Sequence, residues 1–395
     1  MFRSNYNTSS NGGNGGNGNG GSVSAVSQRP SDKSLCIMAK LGLIEHCETY
    51  ILCGHNVNEV DKNEMSSLSY AAENGHLSVC ELLIKHNSVI NQPVKNRMRA
   101  LHYAAENGHL TICELLINNG ADVNEANIFD ETPFHLASIN GHILVCELLI
   151  KHIEDINKVE KYGQTPLHLA STNGHISLCK FLIKNGANVN KVNKHKETPL
   201  IIVLNSRNIA ICELLISHGA DVNQEMIHIT YLNKIDKLIL DSTPLNIALE
   251  KVNLKTCELL ISHGADVNHA DNNGTRPIHI AIEKGDLEKC ELLISHGADI
   301  NYEEKDDEYT PLALAVLYKK KELIKMLLSK GANISKDINE IFEDRPELQS
   351  ILINWPKTMW IIMLQELFVF NFLNMDSFDD FQEFYQTENL APNNE

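Results

Sequence analysis

From Ser34 onward, short apolar runs alternate with glycine-containing breaks. In Thr165-Pro166-Leu167-His168-Leu169-Ala170 the threonine hydroxyl can accept an orphan backbone N–H and the proline lacks one, which suits the N-cap and first position of a helix. That run stops within Thr172-Asn173-Gly174-His175, where glycine can take the left-handed backbone that ends a helix, and Gly75, Gly108, Gly141 and Gly285 stand at the same place in other copies. A second run follows, such as Ile143-Leu144-Val145-Cys146-Glu147-Leu148-Leu149-Ile150, too apolar for anything but neighbouring helices to cover. It usually closes at another glycine (Gly120, Gly186, Gly219, Gly264, Gly297, Gly331), followed by Ala-Asp or Ala-Asn and a turn leading to the next Thr-Pro. The pattern predicts a repeated helix, tight turn, helix and loop, in which one copy alone could not fold.

The copies begin near Ser34, Ser66, Arg99, Thr132, Thr165, Thr198, Thr243, Arg276 and Thr310, with a step of 33 residues throughout from Ser66 to Thr198. The step from Thr198 to Thr243 is 45 residues, which places a 12-residue insertion between Asn223 and Thr243. A unit of this length bearing Thr-Pro-Leu-His-x-Ala resembles the ankyrin repeat family, over residues 34–334 and about nine units. The resemblance implies an all-α solenoid of stacked antiparallel helix pairs joined by hairpin-like loops. It also implies a non-enzymatic scaffold that grips a protein partner through hairpin tips and the concave face of the first helices. Two copies depart from the pattern where the second helix should close on glycine. Asn87 tolerates a left-handed backbone, whereas the β-branched Ile153 does so poorly, so the helix end near Ile153 is expected to be rearranged. The first unit lacks Thr-Pro and reads as a degenerate cap.

Outside the repeats the chain changes character. Residues 1–33, rich in Gly, Asn and Ser, read as a disordered leader; residues 335–390 read as a helical C-terminal module covering the last unit, and 391–395 as a disordered tail. Within that module, Trp355 to Leu367 has some similarity to the start of an F-box. This keeps open an alternative function, a substrate adaptor of a ubiquitin ligase, with the repeats on the substrate and the module on a ligase subunit. The insertion, residues 224–240, carries Met226, Ile227, Ile229, Tyr231, Leu232, Ile235, Leu238 and Ile239, and is expected either to pack on the array or to form a docking arm.

Length and charge narrow the field. At 395 residues the chain exceeds the ~250–300 at which one core stops growing, as an elongated array would. A net charge of −17 opposes attraction to phosphate backbones, so nucleic acid is not expected as a partner. The apolar stretch Trp360 to Leu373 is broken by Gln365, Glu366 and Asn371 and is shorter than the ~20 residues of a membrane helix, so no membrane insertion is expected. With no secretory signal visible, the expected setting is reducing and cytoplasmic, with the nucleus as the alternative, and the expected state is a monomer.

Candidate chemistry was weighed against packing. Cys47, Cys80, Cys113, Cys146, Cys179, Cys212, Cys257 and Cys290 share one register of the second helix; neighbours a helix-packing distance of roughly 8–10 Å apart cannot share a tetrahedral metal or a disulfide. These are expected to be core residues. His102, His135, His168 and His279, and His76, His109, His142 and His175, form two further ladders that the resemblance implies are structural, and the asparagines from Asn91 to Asn301 read as turn residues, with hydroxylation as the functional alternative. No nucleotide-binding, hydrolase, metalloprotease or kinase signature occurs, so no enzyme, cofactor or metal is expected. What varies from unit to unit is the tips, basic or aromatic early and acidic at Glu304 to Tyr309. Phe129, Tyr162, Lys161, Lys194 and His195 are the expected partner-binding patch, because exposed aromatics bury much area at small entropic cost.

Overall fold

The computed structural model describes residues 34–232, 236–272, 274–303 and 309–333. The leader 1–33, the C-terminal module 335–390, the tail 391–395, the F-box-like segment and most of the last tip lie outside the described residues. Nine helix pairs follow one another: α1 (Leu35–Lys40) with α2 (Ile44–Leu52), α3 (Ser67–Glu73) with α4 (Leu77–Lys85), and α5 (Ala100–Glu106) with α6 (Leu110–Asn118). Then come α7 (Pro133–Asn140) with α8 (Ile143–Leu149), α9 (Pro166–Thr172) with α10 (Ile176–Lys184), and α11 (Pro199–Ser206) with α12 (Ile209–Ser217). The last are α13 (Pro244–Lys251) with α14 (Leu254–Ser262), α15 (Pro277–Lys284) with α16 (Leu287–Ser295), and α17 (Pro311–Leu317) with α18 (Lys321–Ser329). First helices pack on first helices of the adjoining units and second on second, giving two layers. One apolar core runs between them from Leu35 to Ala332, and the eight-cysteine column lies fully inside it. Among the described residues no helix is long and apolar enough to cross a membrane.

Side chains reaching one unit along hold the stack together. The Thr165 N–H donates to Nδ1 of His168 (3.2 Å), so that nitrogen carries the lone pair and Nε2 the proton, which is donated to the Glu197 carbonyl of the next unit (3.2 Å). His135 does the same from Thr132 (3.2 Å) to Lys158 (2.9 Å). The second histidine ladder plugs the turn between the two helices. Nε2 of His76, His109, His142 and His175 lies 2.9–3.1 Å from the carbonyls of Lys40, Glu73, Glu106 and Ile139 in the preceding unit. Each ring covers a left-handed glycine so closely that a Cβ on Gly42, Gly75, Gly108 or Gly141 would fall 2.6–2.7 Å from it.

The asparagine column is a third ladder. Asn190, for example, donates Nδ2 to the Gly219 carbonyl (2.9 Å) and accepts the Asp221 amide on Oδ1 (2.8 Å), and Asn91, Asn223 and Asn268 make the same pair of bonds.

Departures from the repeat have visible consequences. Asn87 is left-handed (φ 63°), but Ile153 is not, and α8 stops at Leu149, two residues short of the position where α10 ends. Between units six and seven, Arg207 stands where units one to four carry the plugged glycine and Asn253 where units two to five carry the histidine. The lost plug leaves a cavity of about 320 Å³ lined by Arg207, Ile209, Lys251, Val252 and Asn253. At the next junction Lys289, buried, clamps the end of α13 instead, donating to the carbonyls of Leu249 (2.9 Å) and Val252 (3.1 Å) and pairing with Asp286 (3.2 Å). Among the described residues the insertion adds the one non-helical element, a hairpin of strands β1 (Met226–Leu232) and β2 (Asp236–Ser242), antiparallel with Met226 opposite Ser242 and Leu232 opposite Asp236.

Two outcomes follow from these ladders. Burial pushes His102, His135, His168 and His279 down from 6.5 to about 4. Between those values the unfolded chain binds protons that the folded chain refuses, so stability is full above pH 6.5 and falls as pH drops through the window. The urea midpoint should fall steadily from about pH 7 to about pH 4.5, and a level profile would contradict the assignment. Gly186 is left-handed (φ 90°) with nothing within 4 Å of its would-be Cβ, whereas Gly141 lies under the His175 ring. Gly186→Ala should therefore cost about 1–2 kcal/mol, and Gly141→Ala about 1 kcal/mol more, because the His175 bond to Ile139 is also lost; equal losses would contradict the plug.

Candidate functional site

At Asp61, Asn127, Glu160 and Asn193 the side chain that opens a five-residue turn folds back onto its own backbone, whereas Val94 opens the corresponding turn with no polar side chain. Oδ1 of Asn127 accepts the amides of Phe129 (2.8 Å) and Glu131 (3.0 Å), and Oδ1 of Asn193 those of His195 (2.8 Å) and Glu197 (3.0 Å). Glu160 uses Oε1 in the same way for Tyr162 and Gln164 (both 3.0 Å), as Asp61 uses Oδ1 for Asn63 (2.9 Å) and Met65 (3.0 Å). The fourth residue is left-handed at Glu64, Asp130, Gly163 and Lys196. These bonds hold the middle residues of the turn in fixed positions, so a tip is a rigid display rather than a loose loop.

Successive tips are tied to one another by main-chain bonds. Lys95 N–H donates to Glu64 (3.1 Å), Ile128 to Asn96 (3.0 Å), Lys161 to Phe129 (3.0 Å) and Lys194 to Tyr162 (3.0 Å). The tips of units two to six are thus rungs of one ladder along the edge of the stack. Gly163 shows how close they lie, since a Cβ there would meet the Lys194 nitrogen at 2.8 Å. Beneath the N-terminal tips a second apolar cluster of Cys36, Met65, Tyr70, Val94, Met98 and Leu136 supports them from the side of the first helices.

The ladder brings Phe129, Lys161, Tyr162, Lys194 and His195 onto three adjoining tips. Lys161 Nζ stands 5.8 Å above the Phe129 ring, and Lys194 Nζ donates to the Lys161 carbonyl (2.6 Å). Tyr162 is exposed, as are Lys161, Lys194 and His195, while Phe129 is half-buried. Burial sorts the charges of these tips. Glu131 and Glu160 are buried, with Glu131 accepting from Asn127 Nδ2 (2.9 Å), and Glu197 accepts from Asn193 Nδ2 (2.9 Å). Lys161, Lys191, Lys194 and Lys196 point to solvent, and among the described residues none of the four has an ion-pair partner. The result is a positive surface on a chain of net charge −17.

Sequence reasoning did not include the aliphatic residues of this surface. Ile128, Val159 and Val192 are 45 %, 40 % and 37 % exposed, and with Tyr162 at 49 % they interleave with the lysines. Val159 and Val192 directly precede the residues that open their tips, and that repeated position was the available signal.

The other ladders hold no reactive groups. Burial pushes the thiols of the cysteine column up to about 11–12, which keeps them protonated and unreactive. Each asparagine amide whose two arms are bridged across units is committed to the stack.

Among known families, the model described as ankyrin repeats (3 copies) matches residues 35–127, 134–226, 185–271, 225–304 and 245–338. No curated protein matches the chain.

The tip ladder makes a prediction of its own. In Gly163→Ala the Lys194 amide should lose its Tyr162 partner and exchange with solvent roughly tenfold faster, while amides of α10 keep their protection. An unchanged Lys194 rate would mean that the tips are not coupled in this way.

Proposed function

The chain belongs to the ankyrin repeat family, whose repeats are protein–protein interaction modules, and on that premise we propose that it is a non-catalytic scaffold gripping a protein partner on the tips of units four to six. The observation that carries this reading is the combination of four exposed lysines, none with an ion-pair partner among the described residues, with exposed Ile128, Val159, Tyr162 and Val192 on one rigid ladder. Neither feature would suffice alone. Exposed lysines in isolation are a solvated surface, and scattered apolar side chains are normal on any protein. Together on adjoining tips they give an apolar anchor line with a charged rim, the arrangement of an interface with few dominant residues. The partner surface that fits is acidic, with apolar groups between its acids. The ligase-adaptor reading depends on residues 345–385, outside the described residues, and nothing in the stack favours it.

The test uses the full chain. Replacing Phe129 and Tyr162 with alanine should weaken the complex with the partner recovered by affinity purification by roughly 10–100-fold, while the urea midpoint of the array changes little. Raising salt should weaken it further through the lysines. Unchanged affinity of the double variant would remove this patch from the binding surface.

A further inference from the structure

Phe129, Lys161, Tyr162 and Lys194 form a surface that selects an acidic, aromatic segment, and one such segment is encoded in the same chain. Residues 376–388, Asp-Ser-Phe-Asp-Asp-Phe-Gln-Glu-Phe-Tyr-Gln-Thr-Glu, contain five acids and four aromatics, and no Lys, Arg or His occurs after Lys357. We infer that Asp376–Glu388 docks in cis on the tips of units four to six and competes there with the external partner. The inference rests on the reading of those tips as the partner surface and adds how that surface is regulated.

Charge complementarity carries the argument. Of the acids on these tips Glu131 and Glu160 are buried, Glu197 is half-buried and Asp130 alone is exposed, against exposed Lys161, Lys191, Lys194 and Lys196, so positive charge is in excess on this edge of the described stack. The segment supplies Asp376, Asp379, Asp380 and Glu383 for those lysines, and Phe378, Phe381, Phe384 and Tyr385 to cover Ile128, Val159, Tyr162 and Val192. Among the described residues, the cations near the end of the stack offer less. Lys319, Lys320 and Lys321 adjoin the exposed Tyr318 and no run of exposed aliphatic residues, Lys320 already lies over Gly285, and Lys325 is paired with Glu322.

Reach is not limiting. The described stack ends at residue 333, and the 43 residues to Asp376 can span up to roughly 140 Å. The tips of unit five lie four units back, roughly 40 Å at the spacing of packed helices. A tether of this kind presents its end at an effective concentration near the millimolar range, so even a contact too weak to survive between separate molecules is largely formed within one. A partner then binds only as tightly as its advantage over the chain's own segment allows.

The experiment is zero-length carbodiimide cross-linking of the full chain, mixed in equal amounts with an isotope-labelled copy and read by mass spectrometry. The expected links join Lys161, Lys191, Lys194 or Lys196 to Asp376, Asp379, Asp380 or Glu383 within one copy, and they disappear at about 0.5 M salt. Absent links, tail links only to Lys319–Lys321 or Lys330, or links between light and heavy copies would overturn the contact. As a second readout, Asp376→Asn/Asp379→Asn/Asp380→Asn/Glu383→Gln should raise the acylation rate of the tip lysines roughly fivefold, and no rise would count against it equally. Failure here is separable from failure of the partner surface. If capture of the partner depends on Phe129 and Tyr162 while no tail links form, the surface stands and the self-contact falls. If links form but capture ignores those two residues, the tips serve the tail alone.

Discussion

Pairing of one unit's backbone by the next unit's side chains is the constraint on which this molecule depends. A helix pair of this length leaves carbonyls unpaired at the end of each helix and an apolar face uncovered on either side. The asparagine amides, the Thr-bound histidines and the histidines over glycine all close those gaps from outside the unit. Each such bond is worth about 1 kcal/mol, but together they fix both the spacing and the rotation of one unit on the next. That is why the tips fall close enough for Lys161 to bond Phe129 and Lys194 to bond Tyr162 through the main chain. The tip surface proposed for the partner is a by-product of stacking geometry.

The stack also shows what happens where a ladder member is missing. Arg207 and Asn253 line a cavity where, in an earlier unit, the His175 ring covers Gly141, and this occurs at the same junction that carries the β1–β2 hairpin. One junction later Lys289 reaches up from the second helix to bond the carbonyls of Leu249 and Val252, at the same helix end that the histidines bond elsewhere in the stack. Two units that carry arginine in place of the capping threonine keep the amide bond to the histidine, from Arg99 to His102 and from Arg276 to His279, but in both the Nε2 of the histidine finds no carbonyl. The threonine is therefore not needed for the first half of the relay.

At the tips the decisive step is the sorting of charge by burial. Formally the tip Glu160-Lys161-Tyr162-Gly163-Gln164 is neutral, yet Glu160 is spent holding its own turn and Lys161 is left in water. The same division recurs with Glu197 and Lys194. A chain that is acidic overall thus displays a basic, apolar ridge, and an acidic segment of that chain has a physical reason to lie on it.

The sequence by itself determined the repeat, its helices and turns, the burial of the cysteine column and the break at Ile153. These follow from local properties: the missing N–H of proline, the left-handed freedom of glycine, and a periodicity that counts residues. Phe129, Tyr162, Lys161, Lys194 and His195 could be proposed because they vary between copies at one register. What the sequence could not supply was which of the tip charges would be consumed, or that Ile128, Val159 and Val192 belong beside the lysines, since exposure at a turn depends on the position of the following unit. Nor did it show that the insertion, left open between packing on the array and a docking arm, takes the form of the β1–β2 hairpin. Only the tertiary structure decided these, because the main-chain bonds that set the tips side by side join residues about a full repeat apart, whose distance the spacing along the chain does not set, while the turn bonds of Glu131 and Glu160 and the pairing of β1 with β2 are local bonds that the same residues could equally have left unmade.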